Sequence, residues 1–174
     1  MSLDLSKLNS FSKDVYNKII ARHPEWEKYA KVQTWQAGSN QVVFLSVEIP
    51  SPVPGIFPLE ITTIEDVDEE ITVYFGPADI HMHMYLPHKK HSVTDQLDGV
   101  DEITQKIFNE ELISVQSKPG FFGWVAEGMV TPEEYQKRLD KGKLRRAVSW
   151  KGTFNYPYDG THADWNPPRK KPAE

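Results

Sequence analysis

Cysteine is absent from the 174 residues. Its absence removes disulfides, thiolate nucleophiles and cysteine-ligated zinc together, and it suits a reducing compartment. Long apolar runs are also missing. Nowhere does the chain approach the roughly 20 consecutive apolar residues that a membrane-crossing helix needs. The opening MSLDLSKLNSFSKD scatters polar residues among its leucines and lacks the continuous apolar stretch of a secretory leader. A cytoplasmic protein with no membrane partner is therefore expected. There is no G-x-G-x-x-G, P-loop, G-x-S-x-G or H-E-x-x-H motif. Acidic pairs such as Glu69/Glu70 and Glu133/Glu134 are consecutive, so their members point different ways and suit solvation better than paired acid–base work.

What is present fits one soluble domain. Apolar residues make up 39% and charged residues 26%, and five Trp, seven Tyr and eight Phe supply bulky core material. The net charge of −5 conceals a segregation: the balance is +1 over residues 1–59, −10 over 60–111 and +4 over 112–174. An acidic middle argues against a nucleic-acid partner, because neutralising phosphates requires a basic face. It suits a basic protein partner.

Along the chain, Phe11, Val15 and Ile19 form a helical stripe joined by Tyr16 and Ile20, with Ser10 or Ser12 as the expected cap and Pro24 as the stop. A short turn over Glu25–Ala30 follows. Strands are expected at QVVFLSVEIP, at FPLEITTIED and at EITVYFG, with Asp66–Asp68 as a hairpin connection. In EITVYFG, Ile71, Val73 and Phe75 alternate with Thr72 and Tyr74. GPAD turns the chain into IHMHMYL, and strands joined this closely must be antiparallel. Ser92-Val-Thr-Asp95 has the form of a capping box ahead of the stripe Val93, Leu97, Val100, Ile103 and Ile107. Asp95, Asp98, Asp101 and Glu102 crowd the early turns of that helix, where its dipole favours carboxylates. Strands at LISVQSK and FFGWVAEG precede a helix from Thr131-Pro132 to Gly142, and LRRAVSWKGTFNY reads as the last strand. The expected fold class is α+β. Residues 1–158 form a single domain, mainly an antiparallel sheet of about five to eight strands with an N-terminal helix and two later helices packed on it. Residues 159–174 are expected to be coil with a basic tail, in which Trp165 has no evident core to join.

Four of the six histidines lie in DIHMHMYLPHKKH, Asp79 to His91. On a strand, His81 and His83 would share a face, and His88 and His91 follow within loop reach, so these four residues are a candidate metal set. The plainer reading is a half-buried strand, with Ile80, Met82, Met84 and Leu86 inward and His81, His83 and Tyr85 outward. Lys89 and Lys90 inside the cluster would repel a cation. A cupin-like arrangement also fails in detail. Gly76 precedes His81-Met-His83, and Gly152, Pro157, Gly160, His162 and Asn166 follow in order. The expected carboxylate after the second histidine is missing, however, and two helices intervene.

EITVYFGPADIHMHMYL, an acidic amphipathic helix, LISVQSK, and then RRAVSWKGTFNYPYD together resemble small bacterial proteins of the polymorphic-toxin immunity type. The resemblance spans about residues 60–155. It rests on a strand of the kind E-x-T-V-x-F (Glu70 to Phe75), a nearby H-x-H (His81 and His83), the 94–110 helix, and Ser149, Trp150 and Gly152 as a late S-W-x-G. Met84-Tyr85 departs from the usual aromatic directly after H-x-H. The resemblance implies a non-catalytic domain that binds and neutralises one cognate toxin, often a basic nuclease, without a cofactor. The implied footprint is Asp66, Asp68, Glu69, Asp95, Asp98, Asp101 and Glu102, with His81, His83 and Tyr85 as an aromatic anchor. The competing expectations are a metal-dependent enzyme using the histidine set, and a structural or adaptor protein of phage or secretion origin. Trp150 is expected in the core, with Gly152 marking a bulge or a close backbone approach.

Overall fold

The computed structural model describes residues 3–37, 40–63, 69–86, 91–117 and 127–155. The fold is α+β, with two antiparallel sheets where the sequence suggested one. The first sheet takes β1 (Ala30–Ala37), β2 (Asn40–Ile49), β3 (Leu59–Thr62), β4 (Thr72–Phe75) and β5 (Ala78–His81) in simple sequence order. The second has order β7-β6-β8, from β6 (Ile113–Ser117), β7 (Glu127–Val130) and β8 (Leu144–Val148). Short connections dictate the antiparallel meander of the first sheet. The sheets meet where β5 lies against β6 and β7, and Ser114 Oγ accepts the Ala78 amide there at 3.2 Å.

Among the described residues, four α-helices accompany them: α1 (Ser10–Arg22), a single turn α2 (Met82–Tyr85), α3 (Val93–Phe108) and α4 (Pro132–Asp140). The α1 cap is Asn9 rather than a serine, its side chain accepting from the Ser12 amide. Ser12 is instead buried, sharing a 2.6 Å hydrogen bond with Thr63 that ties the helix to the end of β3. The capping box of α3 forms as read, Ser92 and Asp95 each bonding the other's backbone. For α4, Thr131 caps, Pro132 opens, and Gly142 follows at φ 62°. Pro24 stops α1 and opens a 3-10 turn through Tyr29 that leads into β1. β1 itself was not anticipated. FFGWVA of the expected strand FFGWVAEG lies outside the described residues, and β7 begins at Glu127. The last strand ends at Val148 instead of running on to Tyr156.

One face of the first sheet carries Leu45, Val47, Leu59, Ile61, Val73 and Phe75. Phe11, Val15 and Ile19 of α1 and Leu97, Val100, Ile103 and Ile107 of α3 complete the same buried cluster. At roughly 1.5–3 kcal/mol per fully buried apolar side chain, this cluster dominates stability. The second sheet has a smaller core of Ile113, Val115, Tyr135, Leu144 and Ala147 under α4.

Trp150 joins the main cluster from just beyond β8, its ring 4.6 Å from Phe108 and 5.8 Å from Phe75. Ser149 to Asn155 form a tight turn around Glu110, a buried carboxylate at positive φ (59°) that ends α3. Glu110 Oε1 accepts from Ser149 Oγ at 2.6 Å and from the amides of Lys151 (2.8 Å) and Thr153 (3.3 Å). Burial opposes its charge. The donors from Ser149, Thr153 and Lys151 outweigh burial and hold the carboxyl below the usual range. Gly152 is needed twice over: its φ is +79°, and an added Cβ would meet Ile56 Cδ1 at 3.3 Å. The S-W-x-G residues are therefore fold-setting, and the glycine marks a close approach.

Candidate functional site

The histidine stretch is not one strand. β5 ends at His81, and Met82 to Tyr85 form a helical turn whose first amide bonds Ile71 O at 3.1 Å. Met82 is fully buried beneath α3, where a Cβ on Gly99 would lie 3.1 Å from its sulfur. The strand alternation expected to run from Ile80 to Leu86 therefore stops at His81, because successive positions of a helical turn are rotated by about 100° rather than 180°. Of the candidate metal set, His88 and the His83 side chain lie outside the described residues. His91 holds its Nε2 buried without a hydrogen-bond partner. His81 faces carboxylates on both sides, with Nδ1 2.9 Å from Glu70 and Nε2 2.9 Å from Asp79. Thr72 Oγ1 stands 3.3 Å from Nδ1. Among the described residues, no group of three His, Asp or Glu is placed to hold a metal ion.

The acidic residues of α3 each have an intramolecular use. Asp95 closes the capping box, and its hydrogen bonds from Ser92 hold it below the usual carboxylate range. Asp98 and Asp101 together clamp Arg22, at 2.8 and 2.6 Å, joining the end of α1 to α3. Burial works against the Arg22 charge, but the bonds to Asp101 and Asp98 prevail and raise its pKa. Asp101 also meets His23 Nε2 at 2.8 Å, and the His23 ring stacks on Trp26 at 3.8 Å. Glu102 pairs with Lys106 one turn on, and the hydrogen bonds from Lys106 and then Tyr85 lower its pKa. Burial, followed by Glu102, raises the Tyr85 phenol. Glu69 is exposed, and its carbonyl accepts from Gln96 Nε2 at 2.9 Å. Asp66 and Asp68 lie outside the described residues.

A second acidic group was not singled out in the sequence. It occupies the face of the first sheet opposite the main core. Period-two alternation puts Ser46 and Glu48, Glu60 and Thr62, Thr72 and Tyr74, and Asp79 and His81 on this face. The register aligns them in two rows: Glu48, Glu60, Tyr74 and Asp79 are successive cross-strand neighbours, as are Ser46, Thr62, Thr72 and His81. Glu48 is compensated by Lys31 at 2.8 Å and Gln33 at 2.9 Å. Glu60, directly opposite it, receives the Ser46 hydroxyl at 2.9 Å and has no ion-pair partner among the described residues. Thr62, next to Glu60 on the same face, is fully buried with its Oγ1 unbonded. Each polar position was visible as one half of an alternating pattern, but only the register sets Glu48 against Glu60. Comparisons with protein-family models, curated proteins and solved structures find no match for this chain.

Proposed function

We propose that the chain is a non-catalytic binding domain of the immunity type, which neutralises a cognate protein toxin, best a basic nuclease, in the cytoplasm of the cell that makes both. The observation that carries this reading is the acidic row on the first sheet, where Glu48 and Glu60 stand directly opposite each other and, among the described residues, only Glu48 has a cation beside it. Like charges directly opposite on a sheet are destabilising, so a fold that keeps them is better suited to a cationic partner than to standing alone. The exposed carboxylates Asp98 and Glu102 extend the acidic surface on α3, their side chains 66% and 53% accessible. The resemblance in Glu70–Phe75 and Ser149–Gly152 supports the family assignment by fold-setting residues, with no cofactor implied.

The test is co-expression with the toxin domain encoded beside this chain's own gene. The expected result is relief of growth arrest and a stable complex on size-exclusion chromatography that weakens as salt is raised. A complex that never forms, with arrest unrelieved, would sink the reading. Elemental analysis of the purified protein checks the enzyme alternative: one ion per chain, lost in a His81→Ala variant, would replace it.

A further inference from the structure

We propose that β1 pairs edge to edge with β1 of a second copy of this chain, antiparallel about a twofold axis at Gln33, so that two five-stranded sheets join into one. This goes beyond the binding reading above and requires no toxin.

The sheet edges differ in how they are guarded. An open edge invites pairing with another chain, and native folds blunt it by shortness, charge, bulges or a covering element. Among the described residues, β5 and β7 have four residues each and lie against one another. β8 has five, carries Arg145 and Arg146, and shifts its register with β6 at Gln116/Ser117. β1 is built otherwise. It has eight residues and pairs with β2 at every one, from Ala30↔Val47 to Ala37↔Asn40, with no bulge. Among the described elements, no second strand pairs with it and no helix packs along it. It contains no proline and a single charge, Lys31, which Glu48 holds over β2 at 2.8 Å. Lys31 and Thr34 are exposed, and Val32, Gln33 and Trp35 are half-buried, so the middle of the strand is reached from outside.

The occupant follows from what β1 presents. Residues directly opposite in an antiparallel pair share a face and interact. Val32 stands opposite Leu45 of the main core, so alternation puts Val32 and Thr34 on the core face and Lys31, Gln33 and Trp35 on the other. A twofold axis at Gln33 sets Val32 of one copy opposite Thr34 of the other, a β-branched pair. On the opposite face it sets Lys31 beside the Trp35 ring, where an ammonium is attracted. Each pair occurs twice by symmetry. An axis at Lys31 would instead set lysine against lysine. Two edge strands bury less surface than a standard interface, so the dimer is weak and dependent on concentration.

The experiment is sedimentation of the whole chain from micromolar to sub-millimolar concentration. The expected result is a monomer–dimer equilibrium that Trp35→Lys weakens about tenfold, because the substitution sets two like-charge pairs across the axis. Thr34→Lys is the second variant should Trp35→Lys fail to give a folded circular-dichroism spectrum. The chain has no cysteine, so Gln33→Cys reads the register directly. Residues paired on the axis have Cα atoms about 5 Å apart, within disulfide reach. Mild oxidation should therefore cross-link Gln33→Cys far faster than Glu133→Cys, which is exposed on the first turn of α4. A wild-type chain that stays monomeric, a dimer unmoved by the lysine variants, or equal cross-linking at the two positions would overturn the proposal.

Discussion

Two acidic regions of this molecule carry similar charge and differ in how that charge is compensated. On α3, Asp98 and Asp101 face Arg22, Glu102 faces Lys106, and Asp95 caps its own helix. On the first sheet, Glu48 and Glu60 face each other, and among the described residues Lys31 is the cation beside Glu48 and none stands beside Glu60. The first set is taken up within the fold, half of it holding α1 to α3 and half within α3 itself, whereas in the second Glu60 has no ion-pair partner among the described residues. A count of carboxylates along the chain cannot separate the two cases, because the compensating cation comes from a distant segment. Arg22 is 79 positions from Asp101.

The contrast can be tested by removing carboxylates of each kind. The largest effect is expected where a carboxylate is most deeply built into the fold. Glu110→Ala leaves the Ser149 hydroxyl and the Lys151 and Thr153 amides without their acceptor, and should cost about 3–5 kcal/mol in urea unfolding. The same residue predicts an acid limb. Its folded pKa is depressed, so its contribution is complete above the unfolded value of about 4.3 and vanishes as pH falls through the lower folded value. Wild type should therefore lose stability more steeply than Glu110→Ala below about pH 4, and parallel curves would refute the assignment.

An intermediate effect is expected at the helix clamp. Asp101→Ala removes one of two partners from a part-buried Arg22, a loss of about 1–2 kcal/mol, checked by the shift in urea midpoint. The smallest effect has the opposite sign. Glu60→Gln relieves the repulsion with Glu48 and should leave stability unchanged or raise it by a few tenths of a kcal/mol. If it destabilised as much as Asp101→Ala, the two acidic regions would not differ as described.

Much of the fold was legible because its signals are local. The Ser92–Asp95 box, Thr131-Pro132 and the alternation of Ile71, Val73 and Phe75 each act within a few residues. β1 was missed because Gln33, Thr34 and Gln36 give it little apolar contrast, and its strand state depends on pairing with β2 from Asn40 to Val47. IHMHMYL misled because a buried Met82 satisfies either period, and the choice was made by the Ile71 carbonyl and the close fit over Gly99. Within the candidate site, the acidity of the middle segment was readable. Which carboxylates remain uncompensated was not, since register and tertiary ion pairs decide it.

Trp150 and the turn around Glu110 have a consequence for the order in which the chain is made. The five-stranded sheet, α1 and α3 are all synthesised by residue 108. They form a complete list of elements, but their shared core still lacks the ring that packs on Phe75 and Phe108. The carboxylate at the end of α3 meanwhile waits for donors about forty positions downstream. A nascent chain paused before Trp150 would expose apolar surface and an unanswered buried charge at one end of its largest core. Folding of the first sheet is thus coupled to completion of the second, and the N-terminal two thirds should behave on the ribosome as an unfinished body rather than an independent unit.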